Sequence, residues 1–185
     1  MEIRAVDNFL CEDDFKEVIE YCKGATYLYG AVDDDGHEND ETFCVGMTHL
    51  IYPNYPFDNR CVPIKDRIKI FDLLFKECKS QFPEINEYNL TRMYVNCFSP
   101  RENPYFHIDS VNENTKSYTC LLYVNDIWDF NDGGETQFYI NDIIYGILPI
   151  PNRMILFDGR IKHKATTFRN KYRFTIALKY EDPLS

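Results

Sequence analysis

The chain has 185 residues, 44% hydrophobic and 16% aromatic, and a formal net charge of −10. That length supports one domain spanning 1–185 with a real core, and the acidic balance gives no general footprint for nucleic acid. Seven scattered cysteines without a CxxC pair argue against a disulfide framework or a cysteine zinc site and favour a reducing, cytoplasmic setting (the host's, if the protein is virus-encoded), and no signal peptide or membrane-length apolar run is read.

In chain order, residues 5–10 are predicted as a short strand and turn. Phe15, Val18, Ile19 and Cys22 then recur at helical spacing, with Glu12, Asp13 and Asp14 in the first turn, where the helix dipole favours acids, and Gly24 at the end. Residues 26–32 and 42–52 read as strands around an acidic loop that lacks calcium-loop spacing. Pro53, Pro56 and Pro63 mark an irregular connection. A second helix runs from Ile64 to Phe82, with Ile64, Ile68, Phe71, Leu74, Phe75 and Cys78 as its apolar stripe. From Leu90 onward short strands alternate with turn clusters: 90–98, 117–125, 136–139, 143–150, 153–157 and 172–180. Such spacing, with 14 tyrosines and 14 phenylalanines, points to a β-sandwich or barrel. The expected fold is mainly β with flanking α-helices. Residues 1–89 supply the helices and supporting strands, and 90–180 form the β core that carries the site.

The chemistry begins at His107-Ile108-Asp109. On a strand, residues two apart point to the same side, so an imidazole and a carboxylate there can hold one ion. His163, several strands later, supplies a second imidazole. Two histidines and one carboxylate on one face of an octahedral metal leave three positions open, the arrangement of non-haem iron(II) oxygenases. Taken alone, an HxD is usually a surface pair. In the strand from Tyr172 to Tyr180, Tyr172, Phe174, Ile176, Leu178 and Tyr180 share a bulky face expected to pack under the helices. Arg173, Thr175, Ala177 and Lys179 share the other, which suits a cavity holding a small acid; a solvent-facing Arg on an edge strand is the alternative. Tyr123, on the face of Thr119 and Leu121, brings a hydroxyl within reach of the same acid, or is a core tyrosine. Gly133-Gly134 permits a tight turn before the strand at Thr136. His37 and His49 are assigned to surface or core packing, and alternation about His163 directs Lys162 and Lys164 outward.

Together, His107-x-Asp109, Leu122-Tyr123-Val124-Asn125, Gly133-Gly134-Glu135-Thr136-x-Phe138, Leu156-Phe157, His163 and Arg173 resemble the prolyl 4-hydroxylase-like group of 2-oxoglutarate/iron(II) oxygenases over roughly residues 90 to 180. The resemblance implies a double-stranded β-helix (jelly-roll, cupin-like) core. It implies iron(II) on His107, Asp109 and His163, the distal carboxylate of 2-oxoglutarate on Arg173, Tyr123 on that same carboxylate, and Thr175 as a further hydrogen-bond donor. A second cofactor tyrosine of the hypoxia-sensing subgroup falls near Cys97 or Phe98, neither of which carries a hydroxyl. The activity implied is hydroxylation of a C–H bond by O2, most naturally in a prolyl residue of a protein or peptide, with release of succinate and CO2 and with ascorbate as reductant. The mouth of the site is expected from residues 25–60 and 99–106. The alternatives are another substrate (a free amino acid or nucleic acid) or a catalytically silent cupin-like metal-binding module. Demethylating relatives place a second Arg where this chain has Lys179. Removing Asp109 is expected to abolish turnover with little loss of fold. Oligomeric state is not legible.

Overall fold

A computed structural model describes residues 3–32, 45–52, 64–100, 102, 104–110 and 114–183. The acidic loop at 33–41 and the Pro53–Pro63 connection lie outside the described residues. Among the described residues, ten strands and two α-helices follow in the order β1 (Arg4–Val6), α1 (Glu12–Gly24), β2 (Leu28–Val32), β3 (Val45–Tyr52), α2 (Ile64–Gln81), β4 (Asn89–Phe98), β5 (Ser117–Tyr123), β6 (Thr136–Ile140), β7 (Ile143–Ile147), β8 (Met154–Asp158), β9 (Lys162–Ala165) and β10 (Arg173–Glu181). They form two antiparallel sheets. The larger has the order β1-β8-β5-β10-β4-β3-β2 and the smaller β7-β6-β9.

Each face of the large sheet has its own partner. One face packs against the helices. There Val18, Ile19 and Cys22 of α1 and Ile70, Leu74 and Cys78 of α2 meet Met93 and Val95 of β4, Cys120 and Leu122 of β5, and Ile176, Leu178 and Tyr180 of β10. Burying each of the larger aliphatic side chains contributes about 1.5–3 kcal/mol. The other face looks toward the small sheet, and Leu121, Tyr123, Ile155, Phe157 and Ala177 meet Phe138 of β6 between them. The division follows from the two-residue period of the strands: on β10 the bulky residues face the helices and the small polar ones face the smaller sheet.

Several elements differ from the sequence reading. On α2 the inward stripe is Arg67, Ile70, Leu74 and Cys78, while Ile68 is 53% exposed. The helix is rotated so that Phe71 and Phe75 lie at its flank and stack with ring centroids 5.6 Å apart; an apolar count alone does not fix the angle of a stripe this wide. Tyr172 is exposed, just ahead of β10. Strand β9 is absent from the reading, because Lys-His-Lys-Ala is short and mostly polar. Its pairing with β6 sets Phe138 opposite His163.

The loop after β1 is tied to the turn before β8. The Asn152 side chain accepts from Leu10 N at 3.0 Å and donates to Leu10 O at 2.8 Å. It does so from a left-handed backbone conformation (φ 60°), which asparagine tolerates better than most residues.

Candidate active site

The HxD segment is not on a regular strand. His107 forms an isolated bridge with His163, with His107 N to His163 O at 3.1 Å and His163 N to His107 O at 2.9 Å. Asp109 N donates to Gly159 O at 2.7 Å, just after β8. Glycine at 159 leaves room for this approach, since an added Cβ would come within 2.3 Å of Ser117 Oγ and force that side chain to turn. The side chains converge because backbone bonds hold the segment against β9 and Gly159, rather than through strand alternation.

The two imidazoles are held alike. His107 Nδ1 lies 3.1 Å from Tyr105 O, and His163 Nδ1 lies 2.9 Å from Ile161 O. A ring nitrogen facing a carbonyl carries the proton, so in both rings the Nε2 lone pair is left free. Those Nε2 atoms lie 3.7 Å and 3.4 Å from the Asp109 oxygens, and the three donor atoms fall within 4.8 Å of one another. Such a set is spaced to hold one metal ion. Phe157 packs edge-on against the His163 ring at 4.7 Å, which limits its rotation.

Asp109 has two further partners. Thr119 Oγ1 donates to Oδ2 at 2.7 Å and Lys179 Nζ lies 2.7 Å from Oδ1. Burial works against the carboxylate charge, but Lys179, His163 and His107 outweigh it and hold the carboxyl well below its ordinary pKa. Burial, with His163 beside it, lowers the His107 pKa to about 4. The carboxylate is therefore charged and the His107 ring neutral near pH 7, the states a metal requires of its ligands. Lys179 stays protonated, since Asp109 and Tyr94 more than offset the effect of burial.

Arg173, at the start of β10, is 2% exposed. Its Nε donates to Gly134 O at 3.0 Å and its Nη2 to Thr136 Oγ1 at 3.0 Å. The glycine pair makes the first contact possible. Gly134 has φ +78°, and a Cβ there would lie 2.7 Å from the Trp128 ring. Tyr123 is fully buried beneath, with its ring 5.4 Å from the guanidinium and its hydroxyl donating to Thr136 Oγ1 at 2.7 Å. The Thr136 oxygen thus accepts two hydrogen bonds. Burial lowers the guanidinium pKa, and Tyr123 and then, among the described carboxylates, Glu135 act against it without overcoming it. A buried cation without an adjacent counter-charge is costly, and a ligand carboxylate supplies what is missing.

Arg173, Thr136, Thr175 and the three candidate ligands line one pocket of about 150 Å³, which Phe98 and Phe157 also border. The expected site residues therefore come together. Tyr123 stands behind Thr136 rather than on the pocket wall. Thr119 and Thr136 were not anticipated as site residues. Both lie on strands whose inward face was legible, but a threonine's partner is not. His49 is a core residue, with Nδ1 2.9 Å from Thr26 O and Nε2 2.8 Å from the Tyr21 hydroxyl.

Residues 93–180 match the family model described as the 2OG-Fe(II) oxygenase superfamily. This stretch belongs to that superfamily. Solved structures of similar fold include an oxidoreductase of the 2OG-Fe(II) oxygenase family from Burkholderia pseudomallei (13% identity, 97% of this chain and 85% of that one, TM-score 0.73). A prolyl hydroxylase from Trichoplax adhaerens, in complex with a hypoxia inducible factor peptide fragment, matches at 22% identity (97% and 83%, TM-score 0.66). A prolyl-4-hydroxylase from Pseudomonas putida matches at 14% (97% and 91%, TM-score 0.64). At these identities the likeness is one of fold, and it covers the helices and supporting strands as well as the core. No curated protein sequence matches significantly. The two sheets with the site between them are the double-stranded β-helix of the oxygenases. Among the described residues no helix is long and apolar enough to cross a membrane.

Proposed function

We propose that this protein is an iron(II)- and 2-oxoglutarate-dependent dioxygenase that hydroxylates a prolyl residue in a protein or peptide, releasing succinate and CO2. The observation that carries the reading is one pocket walled both by a His107–Asp109–His163 donor set and by a buried guanidinium that forms no ion pair with a carboxylate among the described residues. In this assignment the two Nε2 atoms and an Asp109 oxygen hold iron(II), and Arg173 receives the distal carboxylate of 2-oxoglutarate bidentately. Thr136, with both acceptor sites of its oxygen taken, turns its own proton toward the pocket and the same carboxylate. Tyr123 acts through Thr136, and Thr175 adds a small polar wall.

The bound iron supplies O2 activation, by which one oxygen atom goes to the succinate formed from 2-oxoglutarate and the other to the substrate C–H bond. The residues' own part is to keep His107 neutral and Asp109 charged, to orient the co-substrate and to exclude water with Phe98 and Phe157. Ascorbate is assigned as reductant. A prolyl substrate is favoured by the motif run and by the fold neighbours described as prolyl hydroxylases. A reducing, cytoplasmic location accords with free thiols at the five described cysteines, Cys11, Cys22, Cys78, Cys97 and Cys120.

Anaerobic titration with iron(II) and 2-oxoglutarate tests the assignment. A visible metal-to-ligand charge-transfer band is expected, lost in His107→Ala and weakened in Arg173→Ala. Proline-containing peptides should then gain one oxygen atom by mass, with matching succinate. No band at confirmed iron occupancy refutes the oxygenase; a band with no peptide product refutes the substrate.

A further inference from the structure

The β4–β10 pair carries charge that neither the metal donors nor the co-substrate uses. Arg173 stands at one end of β10 and Lys179 at the other, and across the pairing Arg173 faces Phe98 while Lys179 faces Arg92. Six residues of strand separate the two ends by about 20 Å. Arg92 and Lys179 share one platform: the Arg92 guanidinium lies 4.3 Å from the Tyr94 ring centroid and the Lys179 ammonium 5.5 Å from it. Like charges directly opposite on antiparallel strands are destabilising. Lys179 is compensated by Asp109 at 2.7 Å. For Arg92, which is exposed and lines the pocket, no ion pair is formed with any described carboxylate. The sequence offers 30 acidic residues against 20 basic ones, so an arginine beside a pocket with no ion-pair partner among the described residues runs against the bulk charge.

We propose that Arg92, braced by Tyr94, is a specificity residue that receives an acidic side chain of the substrate polypeptide close to the hydroxylated position. The inference rests on the prolyl-peptide reading above and narrows it to acidic peptides. Stacking on Tyr94 fixes the guanidinium plane and leaves its outer edge for bidentate pairing with a carboxylate. Distance sets the spacing. Strands β4 and β10 lie about 5 Å apart and an extended peptide advances about 3.3 Å per residue, so the acidic residue falls within about three positions of the target. A nucleic-acid phosphate is the weaker occupant, because phosphate backbones are read by runs of cations and repelled by a net charge of −10.

The test uses the full chain loaded with manganese(II) and 2-oxoglutarate, which does not turn over. Fluorescent peptides with a central proline, flanked by Glu, Gln or Lys, are titrated by anisotropy. The Glu peptide should bind about tenfold more tightly than the Gln peptide, as for a charge-assisted hydrogen bond, with the Lys peptide weakest. The preference should fade with added salt. Arg92→Glu should invert the order, and inversion rather than loss shows that the variant is folded. Equal affinities, or an order unchanged in Arg92→Glu, overturn the proposal and leave the prolyl reading standing. Tighter binding of a single-stranded oligonucleotide than of any peptide, or no peptide binding while the charge-transfer band is intact, overturns both.

Discussion

Replacing Thr136 with valine conserves shape and removes one oxygen, and that oxygen accepts from both the Tyr123 hydroxyl (2.7 Å) and Arg173 Nη2 (3.0 Å). Thr136 and Arg173 are each 2% exposed and Tyr123 is 1% exposed, so water in the co-substrate-free pocket compensates at most the Arg173 side, and the Tyr123 hydroxyl behind Thr136 is left without its acceptor. Orphaning a buried neutral donor costs about 1–3 kcal/mol and a charged one more, so Thr136→Val should cost about 3 kcal/mol. With a urea slope of roughly 2 kcal/mol/M, the midpoint of the co-substrate-free protein falls by about 1.5 M at unchanged slope. The sign of a second substitution is more diagnostic. In the unmodified protein Tyr123→Phe should cost about 1 kcal/mol, since it removes one hydrogen bond. In the Thr136→Val background the same change removes an orphaned hydroxyl, so the double variant should be no less stable than Thr136→Val alone. If Tyr123→Phe costs the same in both backgrounds, within about 0.5 kcal/mol, the shared-acceptor reasoning is wrong.

Two further outcomes follow from the metal donors. Asp109→Ala leaves Lys179 buried beside no carboxylate and should destabilise the metal-free protein by about 2–4 kcal/mol in urea unfolding, with Lys179→Met in that background recovering most of the loss; equal stability of Asp109→Ala and wild type would count against the ion pair. The His107 pKa falls from the ordinary 6.5 to about 4 in the folded metal-free protein, so between those values the unfolded chain binds a proton that the native state does not. Stability should therefore drop as pH falls through that window, by about 3 kcal/mol from this group, and His107→Asn should flatten the profile.

Alternation on β10 was legible in the sequence because a period of two sorts Arg173, Thr175, Ala177 and Lys179 from Phe174, Ile176, Leu178 and Tyr180 without knowledge of the neighbours. The convergence of His107, Asp109 and His163 was legible for a different reason, since the motif order names them even though the strand geometry first invoked is not how they meet. What was hidden is pairwise. Nothing local tells that Thr136 gathers two donors, that Tyr123 stands behind Thr136 and Arg173 rather than on the pocket wall, or that Thr119 and Lys179 both grip Asp109. The expectation that Asp109 is dispensable for folding changes for that reason. The angle of α2 depends on how Tyr52 and Phe71 meet, with centroids 5.3 Å apart, which is long-range information. Of the expected mouth, Thr48 and Pro104 border the pocket, and most of the rest lies outside the described residues.

The strand made last sits in the middle of the large sheet. Ile176 of β10 pairs with Val95 of β4 on one side and Leu122 of β5 on the other. During synthesis β4 can pair with β3 and β5 with β8, yet β4 and β5 share no edge, and the remaining edge of each waits for β10, which follows every other described strand in the chain. Until then both present open, largely apolar edges, the condition under which nascent chains aggregate or engage chaperones. The non-local pairing also predicts slow folding for a chain of this size. A frameshift or cleavage before residue 173 would therefore remove Arg173 and leave β1-β8-β5 and β4-β3-β2 as two separate three-stranded halves with no strand to join them, so partial products should be degraded rather than accumulate as half-active enzyme.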